Sequence, residues 1–194
     1  MITRNDIIPV DVYSEQRATY RASTQSIKNQ RRLQVGPDIM VLFENKQTLL
    51  YQIQEMLWIE RGGDAQLDDE IAAYSPLVPT GTNLCCTVMI GIPDPAERRL
   101  ALKQLGHIEK HIFLHVGRSV IPATPLDDLE RTDQDGKTSS VHFLQFQLTA
   151  DMIQSFKDPN TSVSLQITHP RYTYHANLDL PLRETLTQDF HTTP

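Results

Sequence analysis

Apolar positions at Tyr13, Tyr20 and Ile27 recur every seven residues through an otherwise polar stretch. That spacing predicts a long first helix, opening at Ile8-Pro9 and running to about Arg32. Arg17, Arg21, Lys28 and Arg32 follow one another at intervals of four, seven and four, so they share another face of the same helix. Two short apolar runs flank the turn signal Gly36-Pro37 and predict a pair of strands within residues 33–43. Leu49, Ile53, Met56 and Leu57 mark the inner face of a second helix, capped by Asn45 and stopped at Gly62-Gly63. A third helix follows from Asp64 to Tyr74, with Leu67 and Ile71 inward, before Pro76 and Pro79 impose an extended link.

Beyond residue 80 the rhythm changes. A strand over about 83–92 leads into Asp94-Pro95, a cap followed by a first-turn proline, and the helix it opens stops at Gly106. A second strand is predicted over 107–116. After a polar loop the order recurs: strand 139–148, cap Thr149, helix to Phe156, strand 162–169. Two such β-α-β units can interleave into a ferredoxin-like antiparallel sheet with helices on one face. A last strand over 172–178 and a helix over 181–190 close the pattern. The expected class is therefore α+β, mainly antiparallel, in one domain over 1–194. It divides into a helix-rich N-terminal region over 1–80, a β-α-β pair over 81–180 and a C-terminal helical segment over 181–194.

Composition supports a folded chain: 194 residues, 39% hydrophobic and 22% charged. The net charge of −6 argues against general nucleic-acid binding, which needs a basic excess. The negative charge is uneven. Acidic residues gather at Asp64, Asp68, Asp69 and Glu70 and again at Asp127, Asp128 and Glu130, whereas the basic stripe lies on the first helix. The longest apolar-rich run, about 84–92, is far shorter than the ~20 residues needed to span a bilayer, and the first residues lack the pattern of a secretory signal. Cys85 and Cys86 are adjacent in a strand, so they point to opposite faces and suit neither a bridge to each other nor a metal clamp. A reducing cytoplasm is the expected compartment.

Four groups of residues are candidates for chemistry. His107, His111 and His115 have helical spacing, but the surrounding isoleucine, phenylalanine and valine favour a strand. In a strand, four residues span about 13 Å, too far to share an ion. His169 and His175 flank a turn broken by Pro170, with Tyr172 beside them, and can be folded toward one another; hairpin residues bonded to backbone are the plainer reading. Glu55 and Gln52 share a face of the second helix, and Glu44 precedes its cap, where a carboxylate also complements the helix dipole. Together with His169 and His175 these carboxylates would suit iron, manganese or zinc. Gly136-Lys137-Thr138-Ser139 has the end of a phosphate loop, but Arg131 stands where the full pattern needs glycine, and a strand follows instead of a helix. Arg131 and Lys137 are left as a candidate anion site. No nucleophile elbow, paired-cysteine redox motif or dinucleotide fingerprint occurs, so no motif specifies a reaction.

In order and spacing, several segments are similar to an uncharacterised bacterial family of about this length, classed as a domain of unknown function. They include Val35-Gly36-Pro37-Asp38, Phe43-Glu44-Asn45 and Gln52-Ile53-Gln54-Glu55-Met56-Leu57. Ile59-Glu60-Arg61-Gly62-Gly63, Gly136-Lys137-Thr138-Ser139-Ser140-Val141 and His169-Pro170 with Tyr172 and His175 extend the match. The resemblance implies a setting beside a rubrerythrin-like di-iron protein and an iron–sulfur oxidoreductase, and carries over no catalytic residues. Cys85-Cys86 and Gly91 depart from its pattern; the first departure counts against redox chemistry at those thiols, and the second against a site at that strand end.

The leading expectation is an accessory protein that docks a rubrerythrin-like or iron–sulfur partner through Arg17, Arg21, Lys28 and Arg32. The first alternative is a metal site, or metal-dependent enzyme, built from Glu55, His169, His175 and Glu44, with Gln52 and Tyr172 as ligand contacts. The second is a small-anion sensor at Arg131 and Lys137. A homodimer is compatible with each, two-fold dimers being the commonest assembly.

Overall fold

Residues 1–126 and 131–190 are described by a computed structural model. Asp127, Asp128 and Glu130 of the second acidic group, and residues 191–194 of the C-terminal segment, lie outside the described residues. The N-terminal layer is α1 (Val10–Asn29), α2 (Lys46–Glu60) and α3 (Gly63–Tyr74), with the hairpin β1 (Arg32–Val35) and β2 (Ile39–Phe43) between the first two. Local chemistry explains the boundaries. The Asn45 side chain accepts the Thr48 N–H and starts α2, and Arg61 in a left-handed conformation ends it.

The second half holds β3 (Asn83–Ile90), α4 (Pro95–Gln104), β4 (Ile112–Val116), β5 (Ser119–Pro122), β6 (Thr124–Pro125) and β7 (Val141–Gln147). It closes with α5 (Ala150–Lys157), β8 (Val163–His169), β9 (Tyr172–Asn177) and α6 (Leu180–Thr187). As expected, Asp94 caps α4 through the Ala96 and Glu97 amides, and Thr149 caps α5 through Met152. The chain is thus α+β with antiparallel sheets, and both β-α-β units are present.

Their arrangement differs from the ferredoxin-like expectation. There are two sheets, one of five strands in the order β1-β2-β3-β7-β6 and one of four in the order β5-β4-β8-β9. β3 pairs with β7 in one, and β4 with β8 in the other. Each unit's helix therefore carries the chain from the first sheet to the second, and the chain returns once, at Ala123 between β5 and β6. The reason is burial. Each strand of the units places an apolar row on its inner face, and facing two sheets buries both rows in one core. That core runs through Val41, Phe43, Val88 and Phe146 of one sheet and Leu114, Leu165 and Ile167 of the other, closed by Phe156 and Leu186 from α5 and α6.

Another difference is local. The strand expected from His107 starts only at Ile112, because Ile108–His111 form a 3-10 turn entered by His107 at φ 60°. Arg31, at the end of α1, turns inward. It is buried, donates to the carbonyls of Phe43 (2.8 Å) and Glu44 (3.2 Å), and pairs with Asp189 beyond α6.

Candidate ligand cleft

Strand alternation makes the site. Ile39, Val41 and Phe43 face the core, so Met40 and Leu42 face the other way, toward the helices. On β3 the same parity turns Thr87 and Met89 outward, and on β7 Val141 and Phe143. The register aligns them in two rows, Met40–Met89–Val141 and Leu42–Thr87–Phe143. These rows are the floor of a cleft of 570 Å³ beneath α1, α2 and α3. Glu44 continues the outward parity of β2 and closes one end of the floor. Gln25 and Lys28 enter from α1, Arg32 from β1, Gln52 from α2 and Tyr74 from the end of α3.

Glu44 is 6% exposed. Its Oε1 accepts the Thr87 hydroxyl at 2.6 Å, and its Oε2 accepts the Thr48 hydroxyl. Burial pushes its pKa above the ordinary carboxylate range, against the pull of those two hydroxyls and of the more distant Lys28 and Arg31 charges. Lys28 lies with its ammonium 5.1 Å from the centre of the Tyr51 ring, and Arg32 is exposed. Tyr74 meets Phe143 edge to face, with centroids 6.1 Å apart, and extends the aromatic wall.

The cleft brings together four residues that the sequence assigned to three different roles: Lys28 and Arg32, Glu44, and Gln52. The others go elsewhere. Glu55 is turned to α1, where Arg17 holds it with two 2.8 Å hydrogen bonds and the Tyr13 hydroxyl with one of 2.6 Å. Arg17 also stacks on Trp58, 4.0 Å from the ring centre. Arg17 is thus a clasp between helices and not a free docking charge, while Arg21 stays exposed.

His169 and His175 do not converge. His169 pairs across the hairpin with Tyr172, and His175 with Gln166, so the two histidines are about 10 Å apart along the ladder. They also face opposite sides of the sheet. The Nδ1 of His169 accepts the Arg171 N–H at 3.2 Å and its Nε2–H donates to the Gly106 carbonyl at 3.2 Å, which defines a neutral ring. Burial lowers its pKa in the same direction. Tyr172 is equally committed. It donates to the Val35 carbonyl (2.8 Å) and accepts the amides of Asp38 (3.0 Å) and Ile39 (3.2 Å), locking the β1–β2 turn. The metal set expected from Glu55, His169, His175 and Glu44 is therefore dispersed. Among the described residues no three His, Cys, Asp or Glu side chains are grouped to hold an ion.

The 131–139 loop holds its own anion. The Asp133 carboxylate accepts the amides of Asp135 (3.0 Å) and Lys137 (2.9 Å), and Arg131 packs over Phe143 at 5.2 Å. Arg131 thus lies against an aromatic residue of the cleft floor, and the Lys137 amide belongs to the Asp133 turn. Contributors that went unseen in the sequence include Thr48 and Thr87, which hold Glu44, and the outward Met40 and Met89. The polar Thr87 in the middle of an otherwise apolar run was the available signal.

A family described as "Protein of unknown function (DUF3501)" matches residues 1–190. A crystal structure of a protein of unknown function from Burkholderia pseudomallei K96243 is similar over 98% of this chain and 99% of that one, with 35% sequence identity and a TM-score of 0.90. No curated protein matches.

Proposed function

This chain belongs to the DUF3501 family, and we propose that it is an accessory protein whose work is binding, with the cleft over the five-stranded sheet as its ligand site. One observation carries this reading: Lys28, Arg32, Glu44 and Gln52, from four different elements, line a single cleft of 570 Å³. Small-molecule sites commonly measure about 300–1,000 Å³ and combine apolar walls with a few convergent polar groups. The floor of methionine, leucine, valine and phenylalanine meets the first requirement, and the four polar residues the second.

The redox setting enters from the family resemblance. A rubrerythrin-like or iron–sulfur partner with an acidic surface would meet Arg21, Lys28 and Arg32, which extend from α1 to the cleft mouth. Resident iron, manganese or zinc has less support, because the expected ligands are dispersed or already hydrogen-bonded. An anion sensor at Arg131 and Lys137 has less still, because Asp133 takes the loop amides.

Titration of isotopically labelled protein with anilinonaphthalene sulfonate, an aromatic body with an anionic head, tests the cleft. Amide shifts are expected at Gln52, Thr87 and Phe143, with affinity about tenfold weaker in Lys28→Ala/Arg32→Ala. Shifts confined to other surfaces would sink the reading.

A further inference from the structure

Resting on that reading of the cleft, we propose that its ligand is a small zwitterion. Its amine or amidine end meets Glu44, its carboxylate or phosphate end meets Lys28 and Arg32, and its apolar body lies on the methionine and phenylalanine floor. The cleft presents groups of opposite charge, and Glu44 feels Lys28 only through space, with no ion pair between them among the described residues. Each Glu44 oxygen accepts one threonine hydroxyl, whereas a carboxylate offers about four acceptor positions. Roughly half of its capacity is unfilled, and Glu44 lines the cleft. The nearest cations, Lys28 and Arg31, act on it only at longer range, and Arg31 gives its hydrogen bond to the Glu44 carbonyl instead.

A buried carboxylate with hydroxyl partners but no adjoining cation is costly. An incoming ammonium supplies both the charge and the N–H donors. At the mouth the sign reverses. Lys28 and Arg32 form no ion pair among the described residues, and the amides of Gln25 and Gln52 add neutral donors. An anion alone would be repelled at Glu44, and a cation alone at Lys28 and Arg32, so a molecule carrying both charges fits best. Arg32 stands beside Leu42, two residues from Glu44, and from there the floor runs about 10 Å across β2, β3 and β7, room for an aromatic or branched side chain beside the two charged groups.

Three probes separate the contributions: L-phenylalanine, phenylpropionate, which lacks the amine, and phenethylamine, which lacks the carboxylate. Calorimetric titration of the full chain should show L-phenylalanine binding about tenfold or more tightly than either analogue. Glu44→Gln should erase its advantage over phenylpropionate, and Lys28→Ala its advantage over phenethylamine. The Lys28 change lies at the half-buried rim and leaves the floor intact. If phenylpropionate matches L-phenylalanine, or Glu44→Gln keeps the preference, the zwitterion is overturned while the cleft stands as an anion site. If none of the three binds and anilinonaphthalene sulfonate also leaves the cleft amides unmoved, both proposals fall.

Discussion

Arg17 grips Glu55 through two parallel hydrogen bonds of 2.8 Å each, and this pair joins α1 to α2. Apolar packing of α1 is thin, since Tyr13 and Thr24 are its buried residues, so the polar clasp matters more than a surface pair would. Glu55→Leu leaves the fully buried Tyr13 hydroxyl without its acceptor and should cost about 2 kcal/mol; Tyr13→Phe should cost about 1 kcal/mol. Urea midpoints measure both. Arg17, through its hydrogen bonds, holds the Glu55 pKa below the usual range. That stability is present above the unfolded carboxylate pKa and is lost as pH falls through the folded value.

Glu44 should show the opposite slope. Burial raises its folded pKa, so between the unfolded and folded values the native state binds more protons and stability declines as pH rises. Glu44→Gln keeps the shape and removes the charge. Its stability should equal or exceed that of the parent at neutral pH, and the decline above the ordinary carboxylate pKa should flatten. A pH series of denaturant melts that shows an unchanged slope would contradict this.

Tyr172→Phe removes three hydrogen bonds at the β1–β2 turn and leaves the Val35 carbonyl short of a partner, for an expected loss of about 2 kcal/mol. Gly36→Ala attacks the same contact from the other side. Gly36 has φ +73°, and an added Cβ would lie 2.5 Å from the Tyr172 hydroxyl and 2.6 Å from the Tyr174 ring. Its cost should exceed the ~1 kcal/mol of the left-handed backbone alone. Thermal melts of the two single variants and the double variant should be non-additive, because both act on one contact.

Cys85 and Cys86 are both buried and free. Burial pushes the Cys85 thiol up to about 12 and the Cys86 thiol well above the usual range, which keeps both as unreactive thiols. Native protein should resist a disulfide-exchange reagent at neutral pH, and unfolded protein should release two equivalents. Rapid labelling of the native state would disprove this assignment.

Local signals were legible in the sequence where they act over a few residues. Asn45, Asp94 and Thr149 cap helices as their types require, and the alternation in 163–169 shows its inner row. What could not be read is pairing over distance. Glu55 is 38 residues from Arg17, so nothing in either segment reveals that one neutralises the other. Likewise β3 and β4 each look like one edge of a β-α-β unit, and nothing near them says that two sheets will share the strands. The cleft was half visible: four of its polar residues stood out by type, but only the register of β2, β3 and β7 puts them over one floor.

Arg31 and Asp189 are 158 residues apart in sequence, and this sets an order of events during synthesis. Synthesis delivers the N-terminal segments first. The guanidinium that holds the Phe43 and Glu44 carbonyls is among the early arrivals, yet its carboxylate arrives only after α6. A nascent chain that already contains its three N-terminal helices still lacks the carboxylate that neutralises Arg31. The buried pair beneath the β1–β2 hairpin is therefore completed only once α6 has been made, and truncation before Asp189 would leave a buried guanidinium without its carboxylate.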